Sequence, residues 1–145
     1  MAVSFSYSNT SIQKLVKNKN SIKGWIKDII ENHFNKILGD VNYLFTNDTQ
    51  ILEINRKYLN HDYYTDIITF SYSTENIISA DIVISIDTVR SNANSFGQEF
   101  EIELRRVIIH GILHAIGFED KTEEQKKSMT ELENWALNLY SEQWK

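Results

Sequence analysis

Two histidines four residues apart, followed by an aspartate, are the residues best suited to chemistry in this sequence. They are His110, His114 and Asp120. Residues four apart on a helix lie on one face, with Cβ atoms about 5–6 Å apart, so both imidazoles can reach one ion at about 2.0–2.1 Å. Gly117 lets the chain leave the helix and return the Asp120 carboxylate to a third position. Three protein ligands leave a fourth position for water, which is typical of a catalytic zinc site.

A bare pair of histidines on a helix is more often two solvated side chains than a metal site. The helix predicted here is strongly apolar, so histidines without a partner would be costly to bury on it. The same spacing occurs in zinc proteases, whose signature is His-Glu-x-x-His. The residue after His110 is Gly111, so the glutamate that acts as general base in those proteases is absent. We therefore predict a metal centre, with Zn²⁺ as the expected ion, and disfavour a peptidase.

The composition limits the classes of protein that need be considered. The 145 residues predict one domain, 1–145. Because the chain has no cysteine, a metal would be bound by imidazole and carboxylate groups. No apolar run approaches the roughly 18 residues of a membrane span, and no secretory signal is evident, so we expect a cytoplasmic protein.

Charge is unevenly distributed along the chain. The net charge of −5 argues against a protein that coats nucleic acid non-specifically. Lysines nevertheless concentrate in the N-terminal quarter, and acidic residues in the C-terminal third. The lysines are Lys14, Lys17, Lys19, Lys23 and Lys27. They fit either a solvated helix face or a local surface for a phosphate backbone.

Apolar periodicity predicts an α+β fold. Four stretches favour strands, at residues 3–7, 41–45, 67–70 and 82–86. One helix is predicted at 22–38, with Gly39 as its stop. Two are predicted to begin at aspartate caps, one from Asp48 to residue 59 and one from Asp87 to near Gly97. A long helix is predicted at 99–116, and the last begins at a capping box at Thr122. We expect a mixed sheet of about four strands covered by helices, with the metal site on the long helix 99–116.

The segment around the two histidines resembles a known family. The YbeY family of bacterial metal-dependent endoribonucleases carries His-Gly-x-Leu-His-x-x-Gly-Tyr-Asp-His, which this sequence matches at His110, Gly111, Leu113, His114 and Gly117. Two further segments are similar to family motifs. They are residues 55–70, with Asn55, Tyr58 and Asp62, and residues 80–85. The resemblance implies a zincin-like endoribonuclease that acts on ribosomal RNA, including maturation of the 3′ end of 16S RNA and ribosome quality control.

The sequence departs from the family pattern at two positions. Asp120 stands where the family has a third histidine, and Glu119 beside it is an alternative ligand. A carboxylate lowers the charge of the site by one unit and favours harder cations such as manganese or magnesium. Leu59 stands where the family has an arginine linked to RNA binding or cleavage. Arg56, one turn earlier, is the candidate to replace it, although a solvated surface arginine explains Arg56 equally well.

These features favour phosphodiester hydrolysis of single-stranded RNA. Tyr63 and Tyr64 are candidates to stack on bases. Asp66 is either a turn-forming residue or a partner that orients a ligating histidine. Two alternatives remain: a zincin-like metalloprotease, and a non-catalytic ribosome assembly factor with a structural metal and ribosomal proteins as partners.

Overall fold

The computed structural model describes residues 2–61 and 65–145. Within those ranges one mixed sheet is formed by four strands in the order β1-β2-β4-β3. The strands are β1 (Val3–Tyr7), β2 (Ile37–Thr46), β3 (Ile67–Ser71) and β4 (Ile77–Ser85). The β1–β2 and β2–β4 pairs are parallel, whereas β3 runs antiparallel to β4. The predicted α+β class and mixed sheet are therefore confirmed.

Helices lie on both faces of this sheet. They are α1 (Thr10–Leu15), α2 (Lys19–Asp28), α3 (Asp48–Leu59), α4 (Ile86–Ser95), α5 (Phe100–Ile116) and α6 (Glu123–Gln143). No helix in the described parts of the chain is long and apolar enough to cross a membrane. The long helix predicted at 99–116 is confirmed as α5, and the capping box at Thr122 opens α6 as predicted. Helix α1 was not predicted.

The helix predicted at 22–38 was wrong in its second half. Helix α2 passes into a π-helical turn, Ile29–His33, and Asn35 then adopts a left-handed backbone with φ 54°. Ile37 and Leu38 belong to β2 instead. Gly39 lies beside an irregularity in the β2–β4 pairing, where a Cβ atom would lie 2.2 Å from Oγ of Ser79. It therefore permits close approach of two strands and does not end a helix.

The two predicted aspartate caps were each misplaced by one or two residues. Asn47 caps α3 by accepting from the backbone of Gln50, and Ser85 caps α4. The carboxylate of Asp48 instead accepts from the hydroxyls of Ser85 and Thr88, each at 2.6 Å. The carboxylate of Asp87 accepts from the backbone N–H of Asp48 at 3.1 Å. Both aspartates therefore connect the beginnings of two helices.

The main core lies between the sheet and helices α2, α5 and α6. Trp25 of α2 is fully buried and donates from Nε1 to the carbonyl of Ala136 in α6 at 2.9 Å. The hydroxyl of Tyr43 in β2 donates to the carbonyl of Ile108 in α5 at 2.8 Å. The first bond fixes α2 against α6, and the second fixes α5, the helix that carries the histidines, against the sheet.

Candidate metal centre

Helix α5 brings the two histidines together as its periodicity requires. The rings of His110 and His114 have centroids 4.6 Å apart and are nearly perpendicular, at 83°. Their side chains are 20% and 30% exposed, so an ion can reach them although the rest of the helix is apolar. The predicted shared face is therefore confirmed.

A glycine turn carries the third residue back to this face. Gly117 ends α5 with φ 128°, a backbone conformation that L side chains rarely adopt. The backbone N–H groups of Gly117 and Phe118 both donate to the carbonyl of Leu113 and close the helix end. Asp120 follows, with Oδ2 3.4 Å from Nε2 of His110 and Oδ1 3.5 Å from Nε2 of His114.

The two distances from Asp120 to the histidines fit a tetrahedral ion. Ligands at about 2.0–2.1 Å from a tetrahedral centre lie about 3.4 Å from one another. The three ligand atoms of His110, His114 and Asp120 all lie within 4.8 Å of one another. Among the described residues, no other group of three or more histidine or acidic side chains lies close enough together to share an ion. Glu119 is exposed and outside that group, so the geometry favours Asp120 over its neighbour.

A buried carboxylate on α6 supports the first histidine. Oε2 of Glu133 lies 2.6 Å from Nδ1 of His110, and its Oε1 accepts from Arg106 at 3.1 Å. Arg106 also donates to Asn134 at 2.7 Å. Burial lowers the pKa of His110, but the hydrogen bond and charge of Glu133, with the charges of Asp120 and Asp66, outweigh it and raise that pKa. Carboxylates that bind the second nitrogen of a metal-ligating histidine fix the ring's tautomer and orientation.

Glu133 is a site residue that the sequence pattern did not predict. A usable signal was present, because Glu133 lies between Met129 and Ala136 on the buried stripe of α6. An acidic residue on such a stripe requires a partner. What the sequence could not supply was the identity of that partner, since His110 is 23 residues away along the chain.

A small cavity of about 130 Å³ adjoins His110 and contains two further acids. Asp66 and Glu103 line it together with Arg106 and Glu133. Burial raises the pKa of Asp66, although the charge of His110 and local hydrogen bonds partly lower it. Asn92 donates to the Asp66 carboxylate at 3.3 Å. Asp66 therefore acts on His110 through its charge, whereas Glu133 makes the bond that orients the ring.

The position that carries glutamate in zinc proteases is packed against the sheet. A Cβ atom at Gly111 would lie 3.0 Å from Cδ1 of both Ile67 and Ile82. That contact is tighter than nine in ten real Cβ contacts, so a side chain at this position requires the two isoleucine side chains to shift by a few tenths of an ångström. Gly111 therefore allows α5 to pack closely against β3 and β4.

The remaining predicted site residues lie on or beyond α3. Arg56 is exposed on its last turn, and Leu59, at its end, is 40% exposed. Asp62, Tyr63 and Tyr64 fall outside the described residues. Thr65, the next described residue, comes directly before Asp66 and its cavity beside His110. The end of α3 is therefore close in sequence to Asp66.

The fold and the candidate centre together define an α+β protein that carries His-x-x-x-His on a helix packed against a mixed sheet. A comparison with protein families matches residues 6–141 to endoribonuclease YbeY. An endoribonuclease YbeY from Parabacteroides distasonis is 47% identical over 141 residues, covering 97% of this chain and 99% of that protein. One from Phocaeicola vulgatus is 48% identical, covering 94% and 98%. The chain belongs to the YbeY endoribonuclease family.

A solved structure is also similar. The solution structure of a protein from Thermotoga maritima superimposes with a TM-score of 0.66 at 26% identity, covering 98% of this chain and 93% of the other. The family resemblance in the sequence is thus confirmed, and the protein is a hydrolase that acts on RNA.

Proposed function

We propose that His110, His114 and Asp120 hold one divalent metal ion, with Zn²⁺ as the preferred ion, and that this centre hydrolyses phosphodiester bonds of single-stranded RNA. The convergence of three ligand atoms carries the proposal: Asp120 lies 3.4 and 3.5 Å from Nε2 of His110 and His114, and all three atoms lie within 4.8 Å of one another. When bound, such an ion supplies Lewis acidity that acidifies water and offsets negative charge on a phosphate. Glu133 contributes by keeping the proton on Nδ1 of His110, so that Nε2 presents its lone pair.

We also propose the biological setting. Membership of the YbeY family supports a role in maturing the 3′ end of 16S ribosomal RNA and in ribosome quality control. The ribosome or ribosomal proteins would then be partners, and the cytoplasm the location. Exposed lysines of the N-terminal quarter, Lys19 and Lys27 on α2 among them, offer positive charge to an RNA backbone on an otherwise acidic protein.

Arg56 is our candidate for a cation that contacts the RNA. Its place on the last turn of α3, before the segment that leads to Asp66, supports this role. Arg56→Ala should reduce RNA cleavage without changing the amount of bound metal. Arg56→Lys should restore cleavage only partly, because lysine lacks the planar fork that binds a phosphate through two bonds. Unchanged cleavage by Arg56→Ala would assign Arg56 to the solvated surface.

The decisive experiment removes a ligand. His114→Ala should abolish metal binding and RNA cleavage together, as judged by metal analysis and a chelator-controlled cleavage assay. His33→Ala, which removes an imidazole outside the centre, should retain both. Full ribonuclease activity in the His114→Ala protein would refute the proposal. Normal ribosomal RNA processing in cells carrying a folded His114→Ala protein would instead favour a non-catalytic assembly factor.

A metalloprotease is the weaker alternative. Gly111 supplies no general base at the position where those enzymes carry glutamate. The alternative predicts chelator-sensitive cleavage of a denatured protein substrate, which the same purified protein can be tested for.

A further inference from the structure

The sheet face opposite α5 is only partly covered. On this face Asn42 of β2 pairs with Asp81 of β4, and Asp81 pairs with Phe70 of β3. Helix α3 covers the other half of this face, where Ile51 packs with Ile68 and Val83. Four-stranded sheets that leave a face open and place aromatic rings on it are a common RNA-binding arrangement, because bases stack on those rings.

Three aromatic side chains stand at the edge of this open face. Tyr58 is 61% exposed and Tyr72 is 63% exposed, which are large exposed fractions for aromatic residues. Tyr58 meets Phe70 edge to face, with ring centroids 6.1 Å apart. The three rings line a groove of about 340 Å³ whose other walls are Ile54, Val83 and Asp81. Ligand pockets begin at about 300 Å³, so the groove is large enough for a small planar group.

A series of hydrogen-bonded polar side chains leads from β1 to the groove. Ser4 donates to Oδ1 of Asn42 at 2.5 Å, and Nδ2 of Asn42 donates to Oδ1 of Asp81 at 3.1 Å. Partial desolvation, with the charge of Asp81 and a hydrogen bond to its carboxylate, raises the pKa of Tyr72. A carboxylate has about four acceptor positions. Asp81 therefore retains capacity to accept from donors on a ligand in the groove.

The charges around the groove indicate how a nucleotide would lie. Nζ of Lys57 is 5.3 Å from the ring centre of Tyr58 and places a positive charge at the rim, where it suits a phosphate. The carboxylate of Asp81 would repel a phosphate but suits an amino group, as in the pairing of aspartate with the N4 amino group of cytosine. The base would thus point inward and the backbone outward.

Strand β3 separates the groove from the candidate metal centre. Ile67, at the beginning of β3, lines the cavity beside His110, whereas Phe70 lies on the opposite face of the sheet with Ile68 and Val83, because successive side chains of a strand point to opposite faces. Since β3 is an edge strand, an RNA strand that reached both places would pass around this edge.

We propose that this groove, lined by Tyr58, Phe70, Tyr72 and Asp81, binds one base of the RNA substrate and selects a base with an exocyclic amino group. The base stacks on the tyrosine rings, and its amino group donates to Asp81. This inference rests on the proposed action on single-stranded RNA and adds a determinant of which sequences bind.

The test compares two unstructured RNAs with the full chain. The protein is titrated into fluorescein-labelled oligomers of cytidine or of uridine, and binding is followed by fluorescence anisotropy. Each oligomer has about 10 nucleotides, a length suited to the sites that single-strand binders use. Gel analysis of the same samples records cleavage separately. Cytidine should bind more tightly than uridine, because uracil has no exocyclic amino group. Asp81→Asn should abolish that preference, because an amide loses the negative charge that favours the amino group of cytosine and can donate to O4 of uracil.

Aromatic variants test the stacking surface. Tyr58→Ala and Tyr72→Ala should each weaken binding of both oligomers by about tenfold, the loss of one base–aromatic stack. Phe96→Ala removes an aromatic ring that is 70% exposed elsewhere, and it should have no effect. Equal binding of the two oligomers by the unmodified protein would overturn the proposal. So would unchanged binding in both tyrosine variants, which would assign the rings to a protein partner. Absence of cleavage on the gels would count against the proposed function and leaves the binding comparison intact.

Discussion

Nδ1 of His110 lies 2.6 Å from Oε2 of Glu133, so a carboxylate on α6 fixes the ring of a residue on α5. Because Nδ1 donates in this bond, Nε2 is the nitrogen with a lone pair for an ion. Glu133 is itself held by Arg106, at 3.1 Å. The packing of α5 against α6 therefore sets the orientation of a candidate metal ligand.

The Glu133 contact predicts a loss of metal affinity when its charge is removed. In Glu133→Gln the side chain can still accept from Nδ1, but the negative charge that raises the basicity of Nε2 is gone. Loss of such an outer partner typically costs about 10–100-fold in metal affinity. Chelator competition should measure that decrease for Zn²⁺. Glu131→Gln, an exposed neighbour on the same helix, should bind Zn²⁺ normally, and equal affinities in the two variants would contradict the role of Glu133.

Asp120 should decide the metal preference of the centre. Its removal in Asp120→Ala should cost more than the loss of an outer partner, that is, more than about 10–100-fold in Zn²⁺ affinity. Asp120→His should retain Zn²⁺ and reduce competition by Mn²⁺, since imidazole is a softer ligand than carboxylate. Parallel titrations with both metals test this. Glu119→Ala should change neither affinity, and a loss in that variant alone would make Glu119 the ligand.

The part of the site that the sequence predicts is local. His110 and His114 share a face because the helical repeat places them there, and Gly117 followed by Asp120 predicts a turn back to the same face. Both conclusions need only residues within eleven positions of one another. The strands were likewise predicted from patterns within each segment: alternation of apolar residues in three of them and a short apolar run at 67–70.

The part that the sequence missed depends on contacts between distant segments. Glu133 reaches His110 only because α6 packs on α5, and Asp81 meets Phe70 only through the register of β3 on β4. The helix predicted to continue to Leu38 failed for a related reason. The apolar residues after His33 serve a strand that pairs with β4, and the apolar pattern alone does not distinguish that strand from another helical turn.

Glu103 predicts a dependence of stability on pH. Burial raises its pKa; the charge of Arg106 partly opposes this, and the charges of Asp66 and Glu133 add to it. The folded protein therefore binds this proton more tightly than the unfolded chain does. The contribution of Glu103 to the free energy of unfolding is greatest below the unfolded pKa of about 4.3 and declines as pH rises through the folded pKa.

Glu103→Gln should remove this decline. The free energy of unfolding of the variant, relative to the unmodified protein, should increase as pH rises across that window and then level off. Urea unfolding in excess chelator, at a series of pH values, measures the difference without a contribution from bound metal. Glu142→Gln, an exposed control near the end of α6, should show a flat difference. A flat difference for Glu103→Gln as well would exclude a raised pKa.

Gly117 should connect backbone conformation to metal binding. Its φ of 128° is one that alanine rarely adopts, although nothing lies within 4 Å of a Cβ atom there. Gly117→Ala should therefore destabilise the fold through backbone strain alone, by about 1–3 kcal/mol. Relief of that strain would move the turn that returns Asp120 to the histidines, so Zn²⁺ affinity should fall as well.

Gly97 offers a matched control for this effect. It also has a positive φ, 62°, with nothing within 4 Å of a Cβ atom, but it ends α4 and precedes no metal ligand. Gly97→Ala should cost about 1–2 kcal/mol of stability because it too forces a left-handed backbone on alanine, yet it should leave Zn²⁺ affinity unchanged. Thermal unfolding and chelator competition on both variants separate the two effects. If both variants lost stability and neither lost metal affinity, the turn at Gly117 would serve the fold alone, and Asp120 would reach the histidines without it.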